Sequence, residues 1–430
     1  MAGSAGKSLA AGRQRAHGRP AAGFVAVLVA ALALPSVTVA RGAVASGAVS
    51  GAGTPQAGAA GGSLRAWGDN QFGQLGDGTT SSRDTPVKVQ LPAGTKVTSM
   101  RAGCGHTLAL TVTGHVLAWG YNGDGELGDG TTTSSLTPVR VKLPQGSRVT
   151  AVWAGCFHSL ALTATGHVLA WGSGSLGQLG NGSTLSSDIP VRVKLPNGTR
   201  VKAISAGSGH SLALTATGHL YAWGANSAGE LGDGTTANAA TPVKVKLPKL
   251  TKVTLIAAGE GHSLARTSTG RVLAWGDNTD GVLGNGATTN SFTPVRVKLP
   301  VGTKVLALFG GCVQSLALTA TGHVLAWGDN STGALGNGTT TNSAIPVRVK
   351  LPVGTKVTAI ASGCDHNLAL TATGHVLAWG FGVLGQLGNG ATASSDLPVR
   401  VKIPAGLVAT AVAAGPETND SLAIVHRARR

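Results

Sequence analysis

All four cysteines and ten of the 12 histidines recur at regular intervals, and these side chains are the best suited in the sequence to bind metal or attack a substrate. One set of histidines is His106, His158, His210, His262 and His366, and the other is His115, His167, His219, His323 and His375. Catalysis needs one asymmetric cluster, whereas each of these histidines has copies elsewhere. We therefore expect imidazole nitrogens that satisfy buried backbone groups, and we predict no enzyme, catalytic residue, metal or cofactor.

A 52-residue repeat sets this spacing. Trp-Gly pairs follow one another at that interval, at Trp67, Trp119, Trp171, Trp223, Trp275, Trp327 and Trp379. The string LTATGHVLAWG stands unchanged at 162–172, 318–328 and 370–380. A fixed period near 50 residues is typical of propellers, and we expect the seven tryptophans to pack the blades.

Each unit contains four strand-like runs, called A to D in chain order, separated by Gly-rich turns. In one unit they are 149–154, 159–163, 168–171 and 191–195. Four antiparallel strands per unit predict a blade. Because the first unit starts at strand C (64–67) and the last ends at strand B (421–425), terminal strands should share one blade. The sequence thus predicts an all-β, seven-bladed β-propeller closed by its termini.

Several motifs together resemble the regulator of chromosome condensation repeat family: AGxxHSLALT, GHVLAWG, GxLGxGTT and TPVxV. The resemblance covers most of the chain and implies a seven-bladed propeller. Members include a guanine-nucleotide exchange factor, an ultraviolet receptor and secreted β-lactamase inhibitors, so fold alone does not choose a function. The receptor's turn tryptophans are replaced here by Cys104, Cys156, Ser208, Glu260, Cys312 and Cys364, which argues against light sensing.

The cysteines share one repeat phase, and they fall in two neighbouring pairs of units. Equivalent atoms near a propeller axis can come within disulfide reach, which predicts Cys104–Cys156 and Cys312–Cys364 in an oxidising compartment. Four cysteines allow three connectivities, and free thiols stay open as an alternative. Zinc binding by Cys104, His106, Cys156 and His158 is a weaker alternative, since the spacing matches no standard zinc pattern.

The N-terminus has the pattern of an export signal. Lys7, Arg13, Arg15 and Arg19 precede an uncharged apolar run, 21–34, which ends near small residues suited to cleavage. We expect a signal peptide (1–45), a flexible Gly/Ala linker (46–62), the propeller (63–426) and a basic tail (427–430). The product should be secreted or associated with the cell surface, and a retained anchor is the alternative.

The chain has 34 basic and 17 acidic residues, a net charge of +17. Strand D carries much of this charge, for example Arg192 and Lys194, and such residues block edge-to-edge pairing at the outer strand. A basic rim could also hold an anionic cell-envelope polymer. Nucleic acid is disfavoured, because no aromatic residues are interleaved with the cations.

Variation between units is concentrated in the A–B turns and C–D loops, which emerge on one face of a propeller. A binding surface on a rigid scaffold varies in this way, although neutral drift in exposed loops would too. The candidate binding residues are the aromatics Phe72, Tyr121, Phe157 and Phe381 and the acids Asp124, Asp280 and Asp365. Calcium at Asp124, Glu126 and Asp129, or at Asp277 and Asp280, lacks a full ligand set.

These observations favour an exported, monomeric binding or scaffold propeller that recognises a protein or a cell-envelope polymer through one face. The alternatives are an exchange factor-like regulator of a small GTPase, a secreted enzyme inhibitor, and a propeller enzyme. An enzyme would require a pocket of asymmetric titratable residues at the central opening.

Overall fold

In the computed structural model, which describes residues 62–414 and 419–428, 28 strands form seven four-stranded antiparallel sheets. The innermost strands (A) are β3 (Val97–Ala102), β7 (Val149–Ala154), β11 (Val201–Ala206), β15 (Val253–Ala258), β19 (Val305–Gly310), β23 (Val357–Ser362) and β27 (Leu407–Ala414). The second strands (B) are β4 (His106–Thr111), β8 (His158–Thr163), β12 (His210–Thr215), β16 (His262–Thr267), β20 (Gln314–Thr319), β24 (His366–Thr371) and β28 (Asp420–Arg427).

The two outer positions of each sheet complete the blade. The third strands (C) are β1 (Ser63–Gly68), β5 (Val116–Gly120), β9 (Val168–Gly172), β13 (Leu220–Gly224), β17 (Val272–Gly276), β21 (Val324–Gly328) and β25 (Val376–Gly380). The outermost strands (D) are β2 (Arg83–Lys88), β6 (Ser135–Arg140), β10 (Ser187–Arg192), β14 (Ala239–Lys244), β18 (Ser291–Arg296), β22 (Ser343–Arg348) and β26 (Ser395–Arg400).

The termini close the ring, as the sequence predicts. Blade 1 has the order β2-β1-β28-β27, so its outer half comes from the start of the propeller and its inner half from the end. The pairing of β1 with β28 runs without interruption from Ser63 opposite Val425 to Gly68 opposite Asp420. Blades 2 to 7 follow in chain order, from β3–β6 to β23–β26. The predicted leader and linker lie outside the described residues, apart from Gly62.

Strand D differs from its prediction. It occupies Ser187–Arg192 in blade 3, where the alternating pattern predicted 191–195. Its pairing with β9 is interrupted between Ser187 and Val191, and the amide of Lys194 instead donates to the carbonyl of Gly180 in the preceding loop. Lys194 and its counterparts therefore lie beyond the sheet edge. Alternation alone could not reveal this, because the residues after Arg192 continue the same apolar–basic pattern.

Each tryptophan fastens its blade to the preceding one. All seven indoles of the Trp-Gly series are fully buried, which confirms their packing role. The Nε1–H of Trp171 donates to the carbonyl of Glu126 at 2.8 Å, and the hydroxyl of Ser159 donates to the same carbonyl at 2.9 Å. A buried donor that finds an acceptor avoids the cost of desolvation. The other blades repeat this arrangement, so the loop that supplies the carbonyl is held in a fixed position.

The buried histidines form a second inter-blade link. The Nε2 atoms of His106, His158, His210, His262 and His366 each lie 2.8–3.0 Å from a hydroxyl of the next blade, Ser159, Ser211, Ser263, Ser315 and Ser421 respectively. The role is structural, as expected, and the partner of each Nε2 is a hydroxyl of the next blade. Burial lowers the histidine pKa values, to about 3 for His158.

Two of the seven interfaces replace both members of this link. Between blades 1 and 2 the two positions hold Asp420 and Thr107, and the interface between blades 6 and 7 shows how a replacement works. Gln314 stands in the histidine position of blade 6, and Asn367 stands in the serine position of blade 7. The Nε2 of Gln314 donates to the hydroxyl of Ser362 at 3.1 Å, and that hydroxyl donates to Oδ1 of Asn367 at 2.6 Å. Asn367 then donates to the carbonyl of Ala334 at 2.7 Å, as a serine does elsewhere. The two substitutions therefore compensate each other.

Candidate functional site

The propeller has two faces of different character. The variable-loop face is formed by the A–B turns and C–D loops, such as 103–105 and 121–134 in blade 2. The link face is formed by the B–C turns and the D–A links, such as 112–115 and 89–96. Because strands in each blade alternate in direction, each kind of connection stays on its own face.

A buried asparagine braces most C–D loops. In blade 2 the Nδ2 of Asn122 donates to the carbonyls of Thr131 and Thr133 at 2.9 and 3.1 Å, and its Oδ1 accepts the amide of Leu127 at 2.8 Å. Equivalent residues are Asn70, Asn226, Asn278 and Asn330. Sequence reasoning did not single out these residues, although an Asn recurs three positions after each of these tryptophans. The variable side chains thus project from rigid loops.

The predicted aromatics meet on three consecutive blades. The ring centroids of Phe72 and Tyr121 are 5.1 Å apart, and those of Tyr121 and Phe157 are 6.4 Å apart, both edge to face. Gly105 lies beneath them, where an added Cβ would come within 2.9 Å of the Phe72 ring. Leu176, the counterpart of Phe72 in blade 3, extends the row over Gly209. We call Phe72, Tyr121, Phe157 and Leu176 the apolar arc.

Phe381, the fourth predicted aromatic, lies on blade 7 and is half-buried. No ring contact joins it to another aromatic among the described residues. Its loop neighbours Val383 and Leu384 are exposed. Because blade 7 adjoins blade 1, this loop places a separate apolar group beside the arc.

Carboxylates occupy the opposite part of the same face. Asp277 and Asp280 lie on blade 5, Asp329 on blade 6 and Asp365 on blade 7, and we call these four residues the acidic arc. Burial, followed by repulsion from Asp329 and Asp280, raises the pKa of Asp365 to about 6. Asp329 and Asp280 are therefore the neighbouring charges that act on Asp365. Asp329 was not among the predicted site residues, although it shares the repeat phase of Tyr121.

Asp124 and Glu126 are not arranged as calcium ligands. The carboxylate of Glu126 is buried, and its Oε2 accepts the amide of Asp124 at 3.0 Å. Burial raises the pKa of Glu126 to about 8, so it occurs largely protonated at neutral pH. It replaces the glutamine found at this phase in other blades, such as Gln178, which accepts the amide of Leu176 at 2.8 Å. Within the described ranges, no three His, Cys, Asp or Glu residues are grouped to hold a metal ion.

Both predicted disulfides are present. Cys104–Cys156 joins blades 2 and 3, and Cys312–Cys364 joins blades 6 and 7, with Cα separations of 4.5 and 4.7 Å. This bonding removes the alternatives of free thiols and of a zinc site at Cys104 and Cys156. Phe157 directly follows one bridged cysteine, and Asp365 directly follows another. Each arc is therefore attached to a cross-linked pair of blades.

A buried cation lies on the innermost strands. The guanidinium carbon of Arg101 in β3 lies 4.4 Å from the ring centroid of Trp153, its counterpart in β7. Burial lowers the pKa of Arg101 to about 9. Sequence reasoning noted Trp153 as the tryptophan outside the series but did not pair it with Arg101. The contact joins the innermost strands of blades 2 and 3.

These features define a seven-bladed propeller with one variable, bipartite loop face. A model of the RCC1-like domain matches residues 35–419, and the chain belongs to that family. It is 33% identical to the ultraviolet-B receptor UVR8 of Arabidopsis thaliana over 333 residues, covering 77% of this chain and 76% of the receptor.

Solved structures show the same fold. Human WBSCR16 superposes with a TM-score of 0.76 at 26% identity and covers 86% of this chain and 100% of its own. Prp20p of Saccharomyces cerevisiae superposes with a TM-score of 0.77 at 24% identity and covers 86% and 93%. The described residues contain no helix with the length and apolar character needed to cross a bilayer.

Proposed function

We propose that this chain is an exported, monomeric binding propeller that recognises a protein through its variable-loop face. The apolar arc is the observation that carries this proposal. Three aromatic side chains on consecutive blades remain partly exposed, and Phe157 exposes 39% of its surface. Partly exposed aromatic groups on a rigid scaffold are typical of binding hot spots, because they bury large areas at little entropic cost.

The acidic arc favours a particular partner chemistry. Asp329 and Asp280 repel the carboxylate of Asp365 and help to raise its pKa, so a cation brought by the partner would relieve that repulsion. An anionic polymer would instead add to it. The face therefore suits a protein segment that carries an apolar side chain next to lysine or arginine.

Two features support export. The sequence at the N-terminus has the order of a signal peptide, with basic residues before an apolar run. The inter-blade disulfides are of the kind that persists in oxidising compartments. We propose that the mature chain is secreted or held at the cell surface.

Two competing functions are less well supported. Prp20p has binding properties towards Gsp1p and histones, but at 24% identity its likeness to this chain concerns the fold alone. All 28 strands of the described residues belong to blades, so this part of the chain has no added hairpin that could act as a wedge in nucleotide exchange. The second competing function is an enzyme, which would need a pocket of titratable residues. Two open grooves, near Lys88–Thr95 and near His115, lie on the link face, and no carboxylate lines them.

A comparative capture experiment tests the proposal. Secreted and envelope fractions are passed over the immobilised chain, over a Phe72→Ala/Tyr121→Ala/Phe157→Ala variant, and over Phe292→Ala, which truncates an exposed phenylalanine of outer strand β18. We expect a protein retained by the native chain and the control but at least about tenfold less by the triple variant. Equal retention by all three, or retention only of anionic polymers that salt releases, would contradict the proposal.

A further inference from the structure

The link face is cationic throughout. None of the 17 acidic residues of the sequence falls in a B–C turn or a D–A link. Each of six links ends in an exposed cation, namely Lys96, Arg148, Arg200, Lys252, Lys304 and Lys356. Backbone hydrogen bonds join all six of these residues to the adjacent B–C turn; the amide of Ala320, for example, donates to the carbonyl of Lys304 at 2.8 Å. The backbone at these cations is therefore held in place, and the cations form a ring that includes six of the seven links.

These cations have no carboxylate partner on their own face. The ion pair found within the described residues joins Arg83 to Asp77, at the start of a D strand near the opposite face. A ring of unpaired cations creates a positive potential that attracts an anionic surface. Cations alone do not distinguish a soluble polyanion from a layer of lipid headgroups.

Apolar tips make that distinction. Leu250, Val301 and Val353 are fully exposed, at 102%, 106% and 106% of their reference areas. They lie at the tips of the links that join blade 4 to 5, 5 to 6 and 6 to 7, which are adjacent. The tip of a link is the pair of residues that follows its proline. Scattered exposed apolar residues need no explanation, but these three occupy neighbouring links and each lies within three residues of a lysine.

Leu250 is also conformationally strained. In all seven links the amide of the residue after the tip donates to a proline carbonyl, as Thr303 does to Pro300 at 3.2 Å. Six of these turns have glycine at the third position with φ between 74° and 79°, whereas the fourth link has Leu250 with φ 61°. A left-handed conformation costs a non-glycine residue about 1–2 kcal/mol. The fold does not need this leucine, since glycine fits all the equivalent turns.

We propose that the link face docks onto an anionic lipid bilayer, with Leu250, Val301 and Val353 inserting among the headgroups and the ring of lysines and arginines binding their phosphates. Apolar groups flanked by cations are the combination that binds membrane interfaces. Only the links between blades 4 and 7 insert, so the propeller is tilted on the bilayer, because the tips at Gln145 and Asn197 are polar. The variable-loop face then points away from the bilayer and stays free for its partner.

Vesicle sedimentation tests the proposal. The full chain, a Leu250→Ser/Val301→Ser/Val353→Ser variant and a Leu185→Ser control are mixed with vesicles of phosphatidylcholine alone or with phosphatidylglycerol added. Leu185 is 76% exposed but lies in a C–D loop, on the other face. Because every variant keeps the same N-terminus, differences report on the link face. We expect binding that requires phosphatidylglycerol, about tenfold weaker for the triple variant and unchanged for the control.

A single substitution separates membrane docking from a structural role. Leu250→Gly should raise the melting temperature, because it removes the strain, and should weaken vesicle binding. A lower melting temperature would show that Leu250 supports the fold and would overturn the argument from strain. Native binding by the triple variant, or binding to inorganic polyphosphate as strong as to vesicles, would show that the face attracts soluble polyanions and would overturn lipid insertion.

Discussion

The two faces come from the same repeat yet have diverged differently. The link face keeps the same turn in all seven links, with a proline carbonyl accepting the amide three residues further on, and six of the seven links end in a cation. The variable-loop face keeps its support, which is the carbonyl that accepts the indole N–H and, in five of the seven blades, the bracing asparagine. The side chains that project from this support differ from blade to blade. A repeat protein can therefore vary recognition residues freely wherever backbone groups are satisfied by residues that do not vary.

The comparison also separates two sets of histidines. Those near the variable-loop face are buried in inter-blade bonds, whereas those of the B–C turns lie at the surface of the link face. The first set links the blades, and the second set makes only local contacts, such as that of His167 with Thr165 at 3.2 Å.

Among the predicted changes, acid should lower the free energy of unfolding the most. The pKa values of His106, His158, His210 and His366 are lowered to about 3 in the folded state, so unfolding takes up protons below pH 6.5. The free energy of unfolding should fall by about 1.4 kcal/mol per pH unit for each buried histidine as the pH decreases from about 6.5 towards 3.

Denaturant titrations between pH 7 and pH 4 measure this slope. His366→Gln should reduce the proton uptake by one, since the chain already accepts glutamine at the equivalent Gln314. His167→Gln, which removes an exposed imidazole of the link face, is the matched control. A slope that is insensitive to His366→Gln would show that this histidine is not held neutral.

Removal of a disulfide should have the next largest effect. Cys104→Ser/Cys156→Ser opens a loop of 52 residues and should lower the free energy of unfolding by about 4 kcal/mol. Chemical denaturation measures the loss. Hydrogen exchange should rise around Gly105 and Phe157 on the variable-loop face, and the D–A links should stay protected as before. Equal loss of protection on both faces would contradict the independence of the two faces.

Glycine-to-alanine substitutions on the two faces should lower the free energy of unfolding by smaller and unequal amounts. Gly128 in a C–D loop has φ 65°, and an added Cβ would lie 2.7 Å from Nε1 of Trp171. Gly146 in a D–A link has φ 76° with nothing within 4 Å. We expect Gly128→Ala to cost about 3 kcal/mol, from strain plus overpacking, and Gly146→Ala to cost about 1 kcal/mol, from strain alone. Equal costs in thermal unfolding would show that the inter-blade indole does not constrain this loop.

Much of the architecture follows from the sequence alone. The 52-residue spacing fixes the number of blades, the mismatched ends predict the closure, and the shared phase of the cysteines predicts the two disulfides that the structure contains. Each of these is a property of periodicity, since equivalent residues of a closed ring occupy equivalent places. The limits of strand D were predicted wrongly, because the side-chain pattern continues after the backbone leaves the sheet.

The tertiary structure decided which variable residues meet. Phe72 reaches Tyr121 because its loop crosses to the next blade above Gly105, a lateral step that repeat phase does not specify. The histidine–serine links and the compensating Gln314 and Asn367 also join different blades. The position of a residue within the repeat determines which strand or loop it occupies and on which face it lies. Its neighbours in the next blade depend on side-chain volumes and backbone dihedral angles across the blade interface. For that reason the sequence determined the scaffold, and the folded chain determined the surface that it presents.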